Sequence, residues 1–341
     1  MAKKDATIDK KNYSEQVRKE IEEQYGSGVF ESSRTIIDNP KKVFKFSPAL
    51  DIGLGGGIPE GCLVTCSGPE KAGKTTSTLH FCKKFQEADP SREVYYLDAE
   101  GRLKEMNLSG IPGLDLDRFH LIHSVEGNIL TAEKYLSIAE KIIHSHPGSL
   151  IVVDSISVLC PESEMTGDLT AQIRASGPRL FSLFCKRIAN VLPVNRVILW
   201  GIQHLITNTS GYGAGRKEDG GVKIQYALDV KLRLKWGEDW EIGPQDNKKS
   251  IGKIAHWDIV TSALGALPNQ KIDSYIRFGT GIDELKENIE IAISLDIIKK
   301  GGAWYTFGEE KIKGEEKLYQ WFVSNPDMIK LLEEKIKELT G

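Results

Sequence analysis

The segment GPEKAGKT, residues 68–75, has the spacing of a phosphate-binding loop, G-x-x-x-x-G-K-[ST]. It follows the apolar run CLVTC and precedes the helical pattern TTSTLHFCKKFQ, which is the context that this motif requires. Glycines let backbone N–H groups converge on phosphate oxygens, and the start of the following helix adds partial positive charge. We expect Lys74 to reach the β- and γ-phosphates of ATP and Thr75 to hold Mg²⁺. The predicted nucleotide contacts are Gly68, Pro69, Glu70, Lys71, Ala72, Gly73, Lys74, Thr75 and Thr76.

Three later apolar runs also end in polar residues. SLIVV leads into Asp154, a second candidate Mg²⁺ ligand, and VYYL leads into Asp98 and Glu100. The carboxyl ends of parallel strands open on one edge, where Glu100 could orient or deprotonate a water molecule. The run ending in GIQH places Gln203 and His204 at the same edge, and we expect Gln203 to sense the γ-phosphate. Strand-end acids are also common as solvated loop residues, which is the competing interpretation of Glu100 and Asp154.

A segment without helix or strand periodicity, ITNTSGYGAGRKEDGG at residues 206–221, follows the GIQH run directly. Long loops of this kind inside a domain are usually functional or disordered. Its position next to Gln203 predicts a loop whose order depends on the γ-phosphate.

The alternation of apolar runs and helical patterns in the middle of the chain predicts an α/β fold. Short apolar runs (CLVTC, VYYL, LIVVD, RVILWGI and LDVKLRL) are separated by helical patterns, as expected of a mostly parallel sheet covered on both faces. Residues 179–192, RLFSLFCKRIANVL, are expected to form one crossover helix.

The two ends of the chain have different patterns. Residues 1–13 are polar, and Val17, Ile21 and Tyr25 follow on one helical face between a predicted N-cap at Ser14 and a stop at Gly26. Beyond residue 280 a helix, the hairpin AWYTFGEEKI and an amphipathic closing helix predict a small α+β domain. We therefore divide the chain into 1–45 (tail, end helix and linker), 46–280 (the core with the phosphate-binding loop) and 281–341. The apolar stripe of the end helix packs either on the chain's own core or on a neighbouring subunit, and the second alternative would make it an oligomerisation helix.

The overall composition limits the class of protein. The net charge is -3 over 341 residues, which disfavours a broadly basic nucleic-acid coat but allows a local basic groove. No run of eighteen apolar residues and no leader pattern occur, so we expect a cytoplasmic protein without a membrane partner. The five cysteines mostly lie in apolar runs and are expected to be reduced.

Several of these motifs together resemble the RecA family of DNA strand-exchange recombinases, in its bacterial and phage branches. The resemblance rests on EEQYGSGVFE, SPALDIGLGGGIPEGCLVTCSGPEKAGKTT, YYLDAE and IVVDS, and on a C-terminal stretch beginning KKGGAWYTF. It implies a P-loop ATPase that forms helical filaments on single-stranded DNA and exchanges strands with duplex DNA. It also implies Glu100 as the catalytic glutamate, Asp154 as the Walker B residue and Gln203 as the allosteric glutamine.

The resemblance further implies two DNA-binding loops, within residues 162–178 and 206–221. Phe278 matches an aromatic that stacks on adenine, although an ordinary strand aromatic is equally compatible with the sequence. The implied DNA contacts are Arg174, Arg179, Lys186, Arg216, Lys217, Gly220 and Gly221. Charged positions on a helix can also be simply solvated, which is the competing interpretation of Arg179 and Lys186.

This sequence departs from the family pattern in three places. Ser262 and Leu264 stand where bacterial members have lysines that reach the neighbouring subunit's ATP, a role that Lys271 could take here. The segment GRLKEM after Glu100 differs from the usual adenine-contacting residues, and the acidic tail of bacterial members is not present. The alternatives left open are a hexameric helicase-type ATPase, an ATPase of the same fold without a DNA role, and a regulatory relative that exchanges no strands.

Overall fold

The computed structural model describes residues 6–167, 177–207, 216–218, 228–235, 237–243 and 247–340. The chain divides into two compact units, residues 1–42 and 43–341.

The first unit contains helix α1 (Ala6–Tyr25) and the short helix α2 (Arg34–Asp38). The prediction that a helix starts at Ser14 was wrong, because α1 begins at Ala6; residues 6–13 contain no proline or glycine to interrupt it. The predicted end is confirmed, since the helix stops at Tyr25 and Gly26 has a φ of +104°.

The second unit carries the sheets and the remaining helices, labelled in chain order. Its helices are α3 (Pro48–Leu54), α4 (Lys74–Ala88), α5 (Glu105–Ser109), α6 (Ala132–Ser145), α7 (Glu162–Met165), α8 (Gly177–Ile188), α9 (Val191–Asn195), α10 (Glu284–Ser294), α11 (Glu315–Ser324) and α12 (Pro326–Thr340). Its strands are β1 (Val43–Phe44), β2 (Ile58–Pro59), β3 (Leu63–Gly68), β4 (Val94–Asp98), β5 (Phe119–His123), β6 (Leu150–Asp154), β7 (Ile198–Thr207), β8 (Arg216–Glu218), β9 (Val230–Leu234), β10 (Glu238–Ile242), β11 (Lys249–Thr261), β12 (Gln270–Arg277), β13 (Gly281–Ile282), β14 (Lys299–Gly301), β15 (Trp304–Phe307) and β16 (Glu310–Lys313).

The central sheet has the strand order β13-β12-β11-β9-β3-β7-β6-β4-β5, with β10 paired to β11 and β8 paired to β7. Neighbours from β9 to β5 are parallel, and β11 to β13 add an antiparallel wing. Strands β3, β4 and β6 are buried along their whole length, because one apolar core lies on the α4 side of the sheet and another on the α6 and α8 side. The predicted α/β class with a mostly parallel sheet is confirmed.

Two details of the core differ from the sequence prediction. The expected single helix over residues 179–192 is two helices, α8 and α9, separated at Ala189 and Asn190. Pro193 lies in the second of these and has no N–H to donate to the carbonyl of residue 189, so a continuous helix would lose that hydrogen bond. The segment 206–221 was expected to lack strand structure, but β7 extends to Thr207 and β8 pairs with its end.

The C-terminal residues form their own small core. Strands β14, β15 and β16 make an antiparallel sheet, and the predicted hairpin is confirmed by the pairing of Trp304 with Lys313. Helices α10, α11 and α12 cover it in one buried apolar cluster, which includes Ile289, Phe322 and Leu332 of the helices and Phe307 of β15.

Glu287 on α10 is a buried carboxyl group between three elements of this unit. It is 1% exposed, accepts a hydrogen bond from the Ala49 backbone N–H of α3 at 2.9 Å, and accepts another from the Ser274 hydroxyl of β12. Burial raises the pKa of Glu287 to about 7, and the same cause raises that of Asp51 on α3 to about 7.

From the raised pKa values of these two carboxyl groups, we predict that the free energy of unfolding decreases as the pH rises from 5 to 8. Because the folded pKa of Glu287 lies above its ordinary value of 4.5, its stabilising effect is complete below that value and is lost as the pH rises through 7. The loss is up to about 3 kcal/mol for this group. In urea unfolding at a series of pH values, Glu287→Gln should flatten the decline, whereas the exposed Glu310→Gln should not. A decline equal to that of the unmodified protein in Glu287→Gln would contradict the assignment.

Candidate active site

A cleft of about 290 Å³ lies at the edge where the parallel strands β3, β4, β6 and β7 reach their carboxyl ends. In open α/β sheets this edge is where ligands bind. The residues around the cleft come from the loop before α4, from the first turn of α4, and from the ends of the neighbouring strands or the segments that follow them. They are Glu70, Lys71, Gly73, Lys74, Thr75, Thr76, Glu100, Arg102, Asp154 and His204.

The loop between β3 and α4 has the form that the sequence motif predicts. Strand β3 ends at Gly68, and α4 begins at Lys74 after a left-handed Gly73 with φ +101°. A Cβ atom on Gly73 would lie 2.5 Å from Cδ1 of Ile276, so a larger residue would have to move the end of that side chain and adopt a left-handed backbone conformation that favours glycine. The helix N-terminus is therefore held against the cleft, where it favours an anion.

Lys74 is a buried cation at the start of α4. Its ammonium donates to the carbonyl oxygens of Gly68 at 2.9 Å and Pro69 at 2.7 Å, and burial lowers the pKa of Lys74. An anion in the cleft would favour the charged form of this group. The loop, the helix N-terminus and this ammonium together fit a polyphosphate.

Thr75 and Asp154 meet across the cleft. The Thr75 hydroxyl donates to Oδ2 of Asp154 at 3.1 Å, and the hydroxyl of Tyr96 donates to the same oxygen at 2.5 Å. Burial raises the pKa of Asp154, although both hydrogen bonds favour its ionised form. Hydroxyl and carboxylate oxygens are the ligands that Mg²⁺ prefers, and a bound cation would favour the ionised carboxylate, so this pair fits a magnesium ion.

Glu100 is held at the end of β4 by three neighbours. Oε1 accepts from the Ser155 hydroxyl at 2.7 Å and lies 2.8 Å from Nε2 of His204, while Oε2 lies 3.6 Å from the Arg102 guanidinium. The hydrogen bond from His204, with that from Ser155, lowers the pKa of Glu100 to about 2. The carboxylate is thus ionised at neutral pH and fixed in place at the wall of the cleft.

Asp98, two residues earlier, has a different environment. It is buried, and its carboxylate oxygens accept from the backbone N–H groups of Arg102 at 3.3 Å and Leu103 at 3.0 Å. These contacts stabilise the turn that presents Glu100 to the cleft. Of the two acids that the sequence offers at this strand end, Glu100 is the one that lines the cleft.

Gln203 and His204 are neighbours on β7 and have different surroundings. His204 pairs in register with Gly68 of β3 and lines the cleft, whereas Gln203 is buried and is not among the lining residues of this described site. Successive side chains of a strand point to opposite faces, so both cannot face the cleft in the same way. The role assigned to Gln203 from the sequence stays a prediction. The sequence placed His204 at this edge but did not predict its contact with Glu100, and it gave no sign of the contacts made by Arg102, Ser155 and Tyr96.

Phe278, the predicted adenine contact, follows β12. Its side chain is 57% exposed, and its backbone N–H donates to Ile251 at 3.0 Å. It is not among the residues that line the described phosphate cleft, so its predicted role is not tested by this arrangement.

The predicted DNA contacts are only partly within the described residues. Arg179 and Lys186 are exposed on α8 and, seven residues apart, lie on one face with Leu183, while Phe181 and Phe184 are buried. The backbones of Arg216 and Lys217 on β8 pair with Thr207 and Ile206 of β7. Arg174, Gly220 and Gly221 lie outside the described residues.

Comparison with known proteins now identifies the family. The RecA N-terminal domain matches residues 13–283, and the RecA C-terminal domain matches residues 286–341. The chain belongs to the RecA family. It is 31% identical over 323 residues to Protein RecA of Acholeplasma laidlawii, covering 94% of each chain. It is 29% identical to Protein RecA of Paracoccus denitrificans over 98% of this chain and 92% of that one.

RecA-family membership defines the activity. The chain is a recombination and repair protein, a DNA-dependent ATPase with strand-exchange activity, as predicted from the sequence. The helicase and non-DNA alternatives are not favoured by these matches. Within the described part of the chain, no helix has the length and apolar character needed to cross a bilayer.

Proposed function

We propose that this RecA-family chain binds Mg²⁺ and ATP in the cleft, assembles as a helical filament on single-stranded DNA and exchanges strands with duplex DNA. The observation that carries the ATP assignment is the convergence of Lys74, the Thr75–Asp154 pair and Glu100 on one cleft. The proposal extends the family-level activity to named ligands and residues.

In the proposed hydrolysis, these side chains position the triphosphate and a water molecule. Lys74 would exchange its two carbonyl partners for β- and γ-phosphate oxygens, whose negative charge favours the charged form of the ammonium. Thr75 and Asp154 would hold Mg²⁺, which when bound neutralises charge on the phosphates. Glu100 would orient the attacking water. With a pKa of about 2 in its contacts with His204 and Ser155, Glu100 is a weak proton acceptor, so a role as general base, but not one in orienting the water, would need these hydrogen bonds to loosen.

Strand β7 supplies a route between the DNA-binding region and ATP. It carries Gln203 and His204 and runs directly into residues 206–221, the proposed second DNA-binding loop. We propose that Gln203 responds to the γ-phosphate and that His204 holds Glu100 until DNA changes the end of this strand. Loss of the γ-phosphate after hydrolysis would then weaken the hold on DNA.

For DNA itself, we propose the exposed face of α8 with Arg179 and Lys186, together with Arg174 and the loop residues Arg216, Lys217, Gly220 and Gly221. A chain with net charge -3 can still bind DNA if each subunit of a filament adds a few phosphate contacts. Phe278 is proposed to stack on the adenine of ATP.

The proposed domain organisation keeps the division made from the sequence. Residues 1–45 would serve filament assembly, 46–280 the ATPase, and 281–341 a separate domain, which the independent core around Ile289 and Phe322 supports. A cytoplasmic location stays a prediction.

The first test is ATP hydrolysis with and without single-stranded DNA at two salt concentrations. We expect strong stimulation by DNA that weakens as salt rises, because phosphate contacts release counterions. Arg179→Ala combined with Lys186→Ala should weaken the stimulation. Arg187→Ala is the matched control, since Arg187 on the same helix pairs with Glu140 at 2.8 Å.

Electron microscopy of the same samples distinguishes a filament from a ring. Extended filaments on DNA would agree with the proposal, and hexameric rings would favour the helicase alternative. A hydrolysis rate that DNA does not change at either salt concentration would contradict the proposed coupling of DNA to the ATP site.

A further inference from the structure

Tyr96 is a fully buried polar side chain beneath the cleft, and the proposed chemistry does not use it. It lies in the middle of β4, opposite Val152 of β6, and its ring packs 5.4 Å from that of Phe119 in the apolar core. Its hydroxyl extends along the sheet to Asp154, two residues further along β6, and donates to Oδ2 at 2.5 Å.

The buried hydroxyl of Tyr96 is explained by its hydrogen bond to Asp154 and not by packing. A phenylalanine would fill the same apolar space, and burying a hydroxyl costs free energy unless it finds a partner. The partner that it finds is the carboxylate proposed to bind Mg²⁺. A phenol is protonated at neutral pH, so it can donate to this carboxylate continuously.

Two donors therefore converge on one oxygen of Asp154. Thr75 reaches Oδ2 from α4 on one side of the cleft, and Tyr96 reaches it from β4 below. Neither hydrogen bond uses Oδ1. Of the two, the Tyr96 contact comes from a side chain that packing in the core holds rigid, so it can fix the rotamer of the carboxylate before any ligand arrives.

We propose that Tyr96 is a positioning residue for the metal site, holding Asp154 in the orientation needed to bind the Mg²⁺ that accompanies ATP. The inference rests on the proposed function of the cleft. Outer hydrogen-bond partners of metal ligands commonly orient those ligands, and their loss typically weakens metal affinity 10- to 100-fold.

The test is Tyr96→Phe, which removes one oxygen atom and preserves the ring. Binding of a fluorescent ATP analogue is measured as Mg²⁺ is titrated, and again in excess EDTA. We expect the Mg²⁺ concentration at half-saturation to rise about 10-fold or more. Binding in EDTA should stay within about twofold of the unmodified protein, because Lys74 and the loop are unchanged.

Tyr95→Phe is the matched control. Tyr95 is the preceding residue of the same strand, packs in the core on the other side of the sheet, and donates its hydroxyl to Glu93 at 2.7 Å. The Tyr95→Phe variant also loses one phenolic oxygen from β4, but at a position away from the cleft. Its Mg²⁺ titration should therefore match that of the unmodified protein.

The outcomes separate the two proposals. An unchanged Mg²⁺ midpoint in Tyr96→Phe, with normal Mg²⁺ dependence in the unmodified protein, would overturn the positioning role alone. A midpoint raised equally in both phenylalanine variants would also overturn it, since the effect would then be structural. If the unmodified protein binds the nucleotide equally well with Mg²⁺ and with EDTA, the proposed metal site itself fails.

Discussion

Replacing Lys74 with alanine is expected to reduce ATP turnover by about 10³-fold or more. The ammonium is the buried cation of the phosphate cleft, and its present partners are two carbonyl oxygens of the loop itself. Without the Lys74 ammonium, the negative charge that develops on the phosphates during hydrolysis would no longer be stabilised by the main fixed positive charge in the cleft. The measurement is steady-state ATP hydrolysis at saturating single-stranded DNA.

The control for this variant is Lys83→Ala. Lys83 lies nine residues further along the same helix, and its ammonium is 3.7 Å from Glu87 in a surface ion pair of small energetic value. Thermal unfolding of both variants would reveal any collapse of the loop, since Lys74 also bonds to Gly68 and Pro69. A folded Lys74→Ala protein that hydrolyses ATP at more than about a tenth of the normal rate would contradict its placement at the phosphates.

Glu100→Gln is expected to lower hydrolysis by about 10²- to 10⁴-fold while leaving ATP binding intact. Glutamine keeps the volume and one carbonyl oxygen for Ser155 and His204, but it lacks the charge needed to orient or deprotonate water. The result is expected whether Glu100 acts as a base or only orients the water. Filaments formed with ATP on single-stranded DNA should then persist far longer than those of the unmodified protein.

The matched control is Glu93→Gln, immediately before β4. Its carboxylate bonds to Tyr95 and lies 3.2 Å from His120, at the opposite end of the strand from the cleft. Rapid hydrolysis by Glu100→Gln, or loss of nucleotide binding in that variant, would remove Glu100 from its proposed role.

Much of the fold could be predicted because its signals are local. Apolar runs ending in LIVVD and VYYLD are long enough to be buried strands, and helical patterns between them require parallel neighbours. Strands β5, β11 and β12 were not predicted, since β5 is a mostly part-exposed edge strand and the other two mix charged and polar residues with apolar ones. Such half-buried strands become recognisable only through the partners with which they pair.

The sequence by itself determined the phosphate loop, the strand-end acids and the family, because these depend on residue types at fixed short spacings. The tertiary structure alone decided which side chains meet. It placed His204 rather than Gln203 on the cleft and brought Tyr96 to Asp154 across 58 residues of chain. The physical reason is register: a strand alternates its side chains, and long-range pairing between strands decides which face, and which neighbour, each of them receives.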